Sequence, residues 1–180
     1  KYSGSTLDAK SKSDVLDDKI CSELFNIPEG AAQYAASFQS RRESYVTRPS
    51  PALETGDIAG LGGSEPPVDR SRTINSVFGE INVPVLKGLE GNLALRHDRY
   101  NDVGSSTNYK ASARWQPNSA ILLRASLGSG FRAPTLTDLW EPQKQQTSEQ
   151  FDDPATGQTD LQVNSIVGGN PNLKHEKSKQ

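Results

Sequence analysis

The chain is poor in the features that announce chemistry. Its single cysteine, Cys21, permits no internal disulfide and no thiolate metal site, so it is either an incidental thiol or one whose partner lies elsewhere. Its two histidines, His97 and His175, lie far apart in sequence without ligand spacing, and read as surface residues. The serine-rich stretches have no paired base, and the cluster Gly128-Ser129-Gly130 precedes no helical pattern that could hold a phosphate. Asp152-Asp153-Pro154 with Gly157 offers oxygen ligands for calcium, but the same residues are ordinary turn formers. No catalytic site, metal site or cofactor is therefore expected. The net charge of -2 and the lack of a basic stripe argue against nucleic acid. No apolar run is long enough for a transmembrane helix. The N-terminus has no signal-peptide pattern, consistent with a removed leader or a start inside something larger.

Low hydrophobicity does not exclude a membrane. The apolar fraction is 33% and the mean hydropathy -0.67, but outer-membrane strands need only about 9–11 alternating residues each. Alternation is what this chain has. Tyr109, Ala111, Ala113 and Trp115 share one face, with Lys110, Ser112, Arg114 and Gln116 on the other. After a turn over 117–120, Ile121, Leu123, Ala125 and Leu127 resume the apolar face and Arg124 and Ser126 the polar one. Side chains alternate along a strand, so these are two adjacent two-faced β-strands.

Other segments follow suit. Ala32, Tyr34, Ala36 and Phe38 alternate with Gln33, Ser37 and Gln39, where the aromatic residues favour strand over an alanine-rich helix. Val77, Gly79, Ile81 and Val83 alternate with Ser76, Glu80 and Asn82, and Leu93 and Leu95 oppose Arg96 and Asp98. Residues 1–19 are polar and carry no pattern. The stretches 47–72, with four prolines, and 132–169, rich in Gln, Asp, Thr and Gly, read as long loops.

The connections sort by length. Turns at 28–30, 86–91 and 117–120 are tight, whereas 47–72, 102–106 and 132–169 are longer or more polar. Tight turns at one end and long loops at the other are the pattern of an outer-membrane barrel, and a soluble sandwich has no reason for it. The polar faces gather Gln33, Gln39, Glu80, Asn82, Arg96, Asp98, Lys110, Arg114 and Arg124, groups suited to a lumen. An Arg or Lys facing hydrocarbon at the midplane would cost about 2–4 kcal/mol. The opposite faces stay uncharged until His97 and Arg99, which belong at headgroup level. Trp115 suits the inner aromatic girdle; Tyr109 fits the outer girdle less well.

Two motifs add a resemblance. Leu123-Arg124-Ala125-Ser126-Leu127-Gly128-Ser129-Gly130-Phe131-Arg132-Ala133-Pro134 resembles the strand and "GFRAP" segment of TonB-dependent outer-membrane receptors. Gly169-Asn170-Pro171-Asn172-Leu173-Lys174 resembles the "GNPNLKPE" segment that follows the next loop in that family, with His175 where proline is usual. Glu23 to Gly30 and Arg96 to Tyr100 are consistent with the same family.

The expected fold is all-β: about six to seven antiparallel transmembrane strands with long extracellular loops, part of a larger barrel over residues 20–180. Residues 1–19 are left unplaced, and the family's plug domain is absent. The resemblance implies about 22 strands in all, and six or seven cannot close around a plug. It also implies a receptor of the bacterial outer membrane for TonB-energised uptake of a scarce nutrient such as a siderophore, vitamin or oligosaccharide. TonB would act through the plug, outer-membrane lipid and lipopolysaccharide would surround the wall, and an unidentified small molecule would be the ligand. The alternative is a soluble or surface β-sandwich serving in binding or adhesion. Lumenal candidates for contact with a polar ligand are Arg96, Asp98, Arg114 and Arg124, against a reading of them as a charge ladder that stabilises the wall. Arg41, Arg42 and Arg48 near the outer mouth could attract an anion or lipopolysaccharide phosphate, against a reading as a solvated loop base.

Overall fold

The computed structural model describes residues 3–58 and 63–180. Residues 1–2 of the patternless segment and 59–62 of the first long loop lie outside the described residues. Six long strands run β1 (Leu7–Ile27), β2 (Gly30–Pro49), β3 (Val68–Leu86), β4 (Leu89–Tyr100), β5 (Gly104–Asn118) and β6 (Ile121–Arg132). After them come a one-turn helix, short strands β7 (Lys144–Thr147) and β8 (Asn164–Val167), and β9 (Glu176–Lys179). One open sheet of seven strands has the order β1-β2-β3-β4-β5-β6-β9; β7 and β8 pair separately. The order follows the chain, as in a meander; the β4–β5 connection, expected among the longer ones over 102–106, is only the three residues 101–103.

The inner turns at 28–29, 87–88 and 119–120 are two residues each. Gly88 has φ +75°, and a side chain there would run into the Gln116 carbonyl, so only glycine fits. At the third turn, the Asn118 side chain accepts from the backbone N–H groups of Ala120 and Ile121, each at 3.0 Å.

Two expected boundaries move. The patternless segment 1–19 enters β1 at Leu7, and the first long loop shrinks because β2 runs on to Pro49 and β3 begins at Val68. Strands of 19–21 residues reach about 65 Å, or about 45 Å when tilted at ~45°, well beyond a ~25 Å apolar band. Past that band nothing selects for apolar residues on one face, so alternation fades while backbone pairing continues.

The residues form two compact units. One comprises 13–43, 72–134 and 174–180 and holds most of the paired wall. Cross-strand partners share a face. Glu80↔Ala94, Asn82↔Asn92 and Ser76↔Asp98 lie on the polar side, continued by Lys110↔Gly128 and Arg114↔Arg124. Ile81↔Leu93, Gly79↔Leu95, Leu95↔Tyr109, Ala111↔Leu127 and Trp115↔Leu123 lie on the apolar side. The wall is inside out. Leu93 is 60% exposed and Leu127 55%, whereas Asp98 is 5% and Ser76 2% exposed. Water cannot be the solvent for such an apolar face, which exceeds the scattered exposure usual on soluble proteins.

The other unit comprises residues 1–12, 44–71 and 135–173. Helix α1 (Pro51–Thr55) starts under a Ser50 cap with proline in its first turn and stops at Gly56 in the left-handed region. Helix α2 (Leu136–Trp140) carries a capping box between Thr135 and Asp138. Leu53 on α1 and Leu136 and Leu139 on α2 are the buried apolar residues of this unit. The 132–169 stretch is thus an ordered excursion with a helix and the β7–β8 hairpin.

Candidate functional site

Register puts all four lumenal candidates on the polar face, but in two groups. Arg96 faces Asn108 across β4–β5, and Arg114 faces Glu90. Six positions along β5 separate those levels, or about 20 Å.

The upper group is closed. The Arg96 guanidinium reaches both Asp98 oxygens at 2.8–3.1 Å, and the Ser76 hydroxyl donates to the same carboxylate. Asp98 is buried, and its charge is met entirely within the sheet. Glu80 likewise accepts from Asn92 at 2.6 Å across β3–β4.

The lower group is open. Arg114 lies 3.5 Å from Glu90 and donates to Gln116 at 2.6 Å. Directly across β5–β6 stands Arg124, a like charge, which costs rather than stabilises at this position. Among the described residues neither Arg124 nor Lys110 has an ion-pair partner. Arg114, Arg124, Lys110, Asn82, Asn92 and Glu90 line one shallow cavity of about 310 Å³. Its donors outnumber its acceptors, as an anionic group would require.

A third cluster, at the loop end of the strands, escaped the sequence reading. Arg72 is 6% exposed. Its Nε and Nη2 each lie 2.7 Å from Glu43 Oε2, its Nη1 donates to the Pro134 carbonyl at 2.6 Å, and Asp102 stands at 3.9 Å. The guanidinium also sits 5.3 Å from the Tyr100 ring centroid. Tyr100 in turn lies 5.7 Å from Phe131, and Phe131 5.1 Å from His175. Arg72 thereby ties β2, β3, the β4–β5 connection and the end of β6. It also explains the Phe131 to Pro134 motif: the phenyl ring packs at a tilt between Tyr100 and His175, and the proline carbonyl accepts from a buried cation. The signal available in sequence was Arg72 itself, but its partners stand 29 and 62 positions away.

The second motif is also a docking device. Asn170 N–H donates to Asp138 O and Gly169 N–H to Glu141 O, both at 2.8 Å, and the Asn170 side chain accepts from Asn172 N–H. A Cβ on Gly169 would meet the Trp140 and Glu141 nitrogens at 2.6 Å, so the backbone approach needs glycine.

The remaining candidates scatter. Arg41 pairs with Glu43 at 3.2 Å on the polar face, while Arg42 and Arg48 are exposed on the other side of β2. Cys21 is a free, exposed thiol beside Glu23, Gln33 and Glu80 in a cavity of about 380 Å³. His97 shares a 2.8 Å hydrogen bond with Thr107. The Asp153 carboxylate accepts from the Thr156 hydroxyl and the Ala155 N–H, which hold its pKa below the ordinary aspartate value. Asp152 accepts from Asp160 N–H at 3.2 Å. These oxygens cap turns.

The family model for TonB dependent receptor-like β-barrels matches residues 8–180. Among solved structures the chain is similar to crystal structures of the ferric enterobactin receptor PfeA from Pseudomonas aeruginosa. One mutant of that receptor in complex with enterobactin aligns with TM-score 0.70 at 19% identity, over 95% of this chain and 24% of that one. A second mutant aligns with TM-score 0.71 at 18% identity over the same shares. The likeness at this identity concerns the fold, and the chain spans about a quarter of those receptors' length. No curated protein matches it in sequence.

Proposed function

We propose a role in TonB-energised nutrient uptake for this chain, which belongs to the TonB-dependent receptor-like β-barrel family. Its strands are wall segments of an outer-membrane barrel, and in the whole receptor the loop-end excursions would capture a ligand that then enters the lumen. TonB would supply the energy from the inner membrane through the plug. A ferric siderophore is the first ligand to test, since the solved relative binds enterobactin. The observation that carries this reading is the two-faced wall: apolar residues exposed on one side, a cation-rich cavity on the other, and the two-residue turns at 28–29, 87–88 and 119–120 all at one end. A sandwich would bury that apolar side under a second sheet, whereas Leu93, Leu95 and Leu127 stand more than half exposed.

The test uses the full-length receptor. Outer-membrane fractionation with a heat-modifiable gel band is expected; a soluble, unshifted band would restore the sandwich. Replacing residues 51–66 by a short Gly-Ser linker should then weaken capture of ferric enterobactin at least tenfold while the heat-modifiable band remains. Lost insertion with unchanged affinity in the molecules that do insert would sink the assignment of that loop.

A further inference from the structure

Where this wall uses a cation as structure, the sheet supplies its acid: Glu43 for Arg72 and Asp98 for Arg96. The lower group of the polar face departs from that rule. Lys110 stands between Ala94 on β4 and Gly128 on β6, neither of which can meet an ammonium. Glu80, the next acid along that row, accepts from Asn92 instead. Arg124 has Arg114 directly across from it, at a backbone separation of about 5 Å. Arg114 is met by one carboxylate, Glu90, at 3.5 Å. Three cations thus share a single acid. Lys110 and Arg124 are exposed and Arg114 is half-buried, so all three remain within reach of a solute.

Between the cations runs a row of small neutral groups. Register sets Asn82, Asn92, Ser112 and Ser126 side by side from β3 to β6. Lys110 lies two positions to one side of that row, and the arginine pair two positions to the other. Four positions of β5, or about 13 Å, separate Lys110 from Arg114. The cavity over the row holds about 310 Å³, at the ~300 Å³ lower bound of small-molecule sites. One carboxylate side chain would fill a fraction of it and leave two cations unmet. A molecule with several oxyanions set apart would fill the space and reach both ends.

Position gives the cavity a place in the passage of a ligand. Glu90 and Arg114 pair one residue inside Leu89 and Trp115, beside the turn at 87–88. The cavity therefore lies at the inner mouth of the wall, away from the long excursions. We infer that Lys110, Arg114 and Arg124, with the Ser112 and Ser126 hydroxyls, form an exit-side binding site for a small polyanion, a transported ligand bearing two or more carboxylates or comparable oxyanions. The site presupposes the uptake reading and adds to it a ligand class and a wall contact made late in passage. Guanidinium groups hold oxyanions through parallel donors. The anion binds Lys110 and Arg124 without first breaking an ion pair, and screening by salt at these exposed charges lets it leave again.

The experiment titrates the full-length receptor, in non-ionic detergent at low ionic strength, with tricarballylate, a compact tricarboxylate, followed by calorimetry. Binding is expected, with none for tricarballylamide, its neutral counterpart. Changing Arg114→Gln together with Arg124→Gln should weaken tricarballylate by on the order of tenfold, whereas Arg42→Gln, on the other side of β2, should not. A second arm needs no variant: tricarballylate should slow phenylglyoxal modification of Arg124 and leave that of Arg42 unchanged, read by peptide mass spectrometry. Absent binding, equal binding of the amide, or an unprotected Arg124 would overturn the site. So would a double variant that binds normally; a lowered urea midpoint in that case would make the cations a seat for the plug. A heat-modifiable band with no tricarballylate binding removes this site alone, whereas a soluble, unshifted band removes the uptake reading itself.

Discussion

Arg72 concentrates more structure than any other side chain of the wall. A guanidinium buried to 6% exposure is tolerable only because Glu43 neutralises it and the Pro134 carbonyl takes a further donor. Removing it leaves the Glu43 carboxylate with only the partly exposed Arg41. Arg72→Ala in the full-length receptor should therefore cost on the order of 2–4 kcal/mol, read as a lower urea midpoint of the folded barrel in detergent. Arg72→Lys should recover little of that, because one ammonium cannot reproduce the planar fork between Glu43 and Pro134. Full recovery by lysine would show that charge alone matters there. The sequence could not display this cluster. Periodicity reports which face a residue takes, not which distant residue it meets, and Arg72 lies where alternation has already faded.

At the scale of the strand, neighbouring positions on β4 give the sharpest contrast. Leu95 faces Tyr109 on the exposed apolar side, and Ala94 faces Lys110 on the polar side. Leu95→Arg should destabilise the inserted barrel by about 2–4 kcal/mol, whereas Ala94→Arg should cost well under 1 kcal/mol in unfolding from the bilayer. Equal costs would mean the faces are misassigned. This contrast was legible beforehand because β4, β5 and β6 alternate through most of the membrane band, so Leu93, Leu95, Trp115 and Leu123 mark one side without ambiguity. β1 was legible only in part, since Leu7–Lys19 pairs through its backbone while its side chains are mostly polar and its apolar pair Val15 and Leu16 is consecutive, not alternating. Alternation and register agree in putting Arg96, Asp98, Arg114 and Arg124 on one polar face, but alternation could not say that Arg96 and Asp98 would close on each other while Arg124 would stay open. That difference comes from cross-strand register, which a turn sets and a sequence pattern does not report.

The whole molecule raises a different question, whether this wall can stand alone. Seven strands in one open sheet leave β1 and β9 as unpaired edges, and an edge of free N–H and C=O groups has no solvent in hydrocarbon. In water the same sheet exposes Leu93, Leu95, Val77, Leu123 and Leu127 together, a patch that drives association. Neither solvent suits it, and closure by further strands resolves both difficulties at once by pairing the edges and handing the apolar side to lipid. Residues 1–180 expressed alone should therefore give no cooperative unfolding transition in water and should aggregate at micromolar concentration. In detergent the same segment should lack the heat-modifiable band that the full-length receptor shows. A sharp, reversible transition of the isolated segment in detergent-free buffer would contradict the exposed-face assignment on which the lumenal cavity and the uptake role both depend.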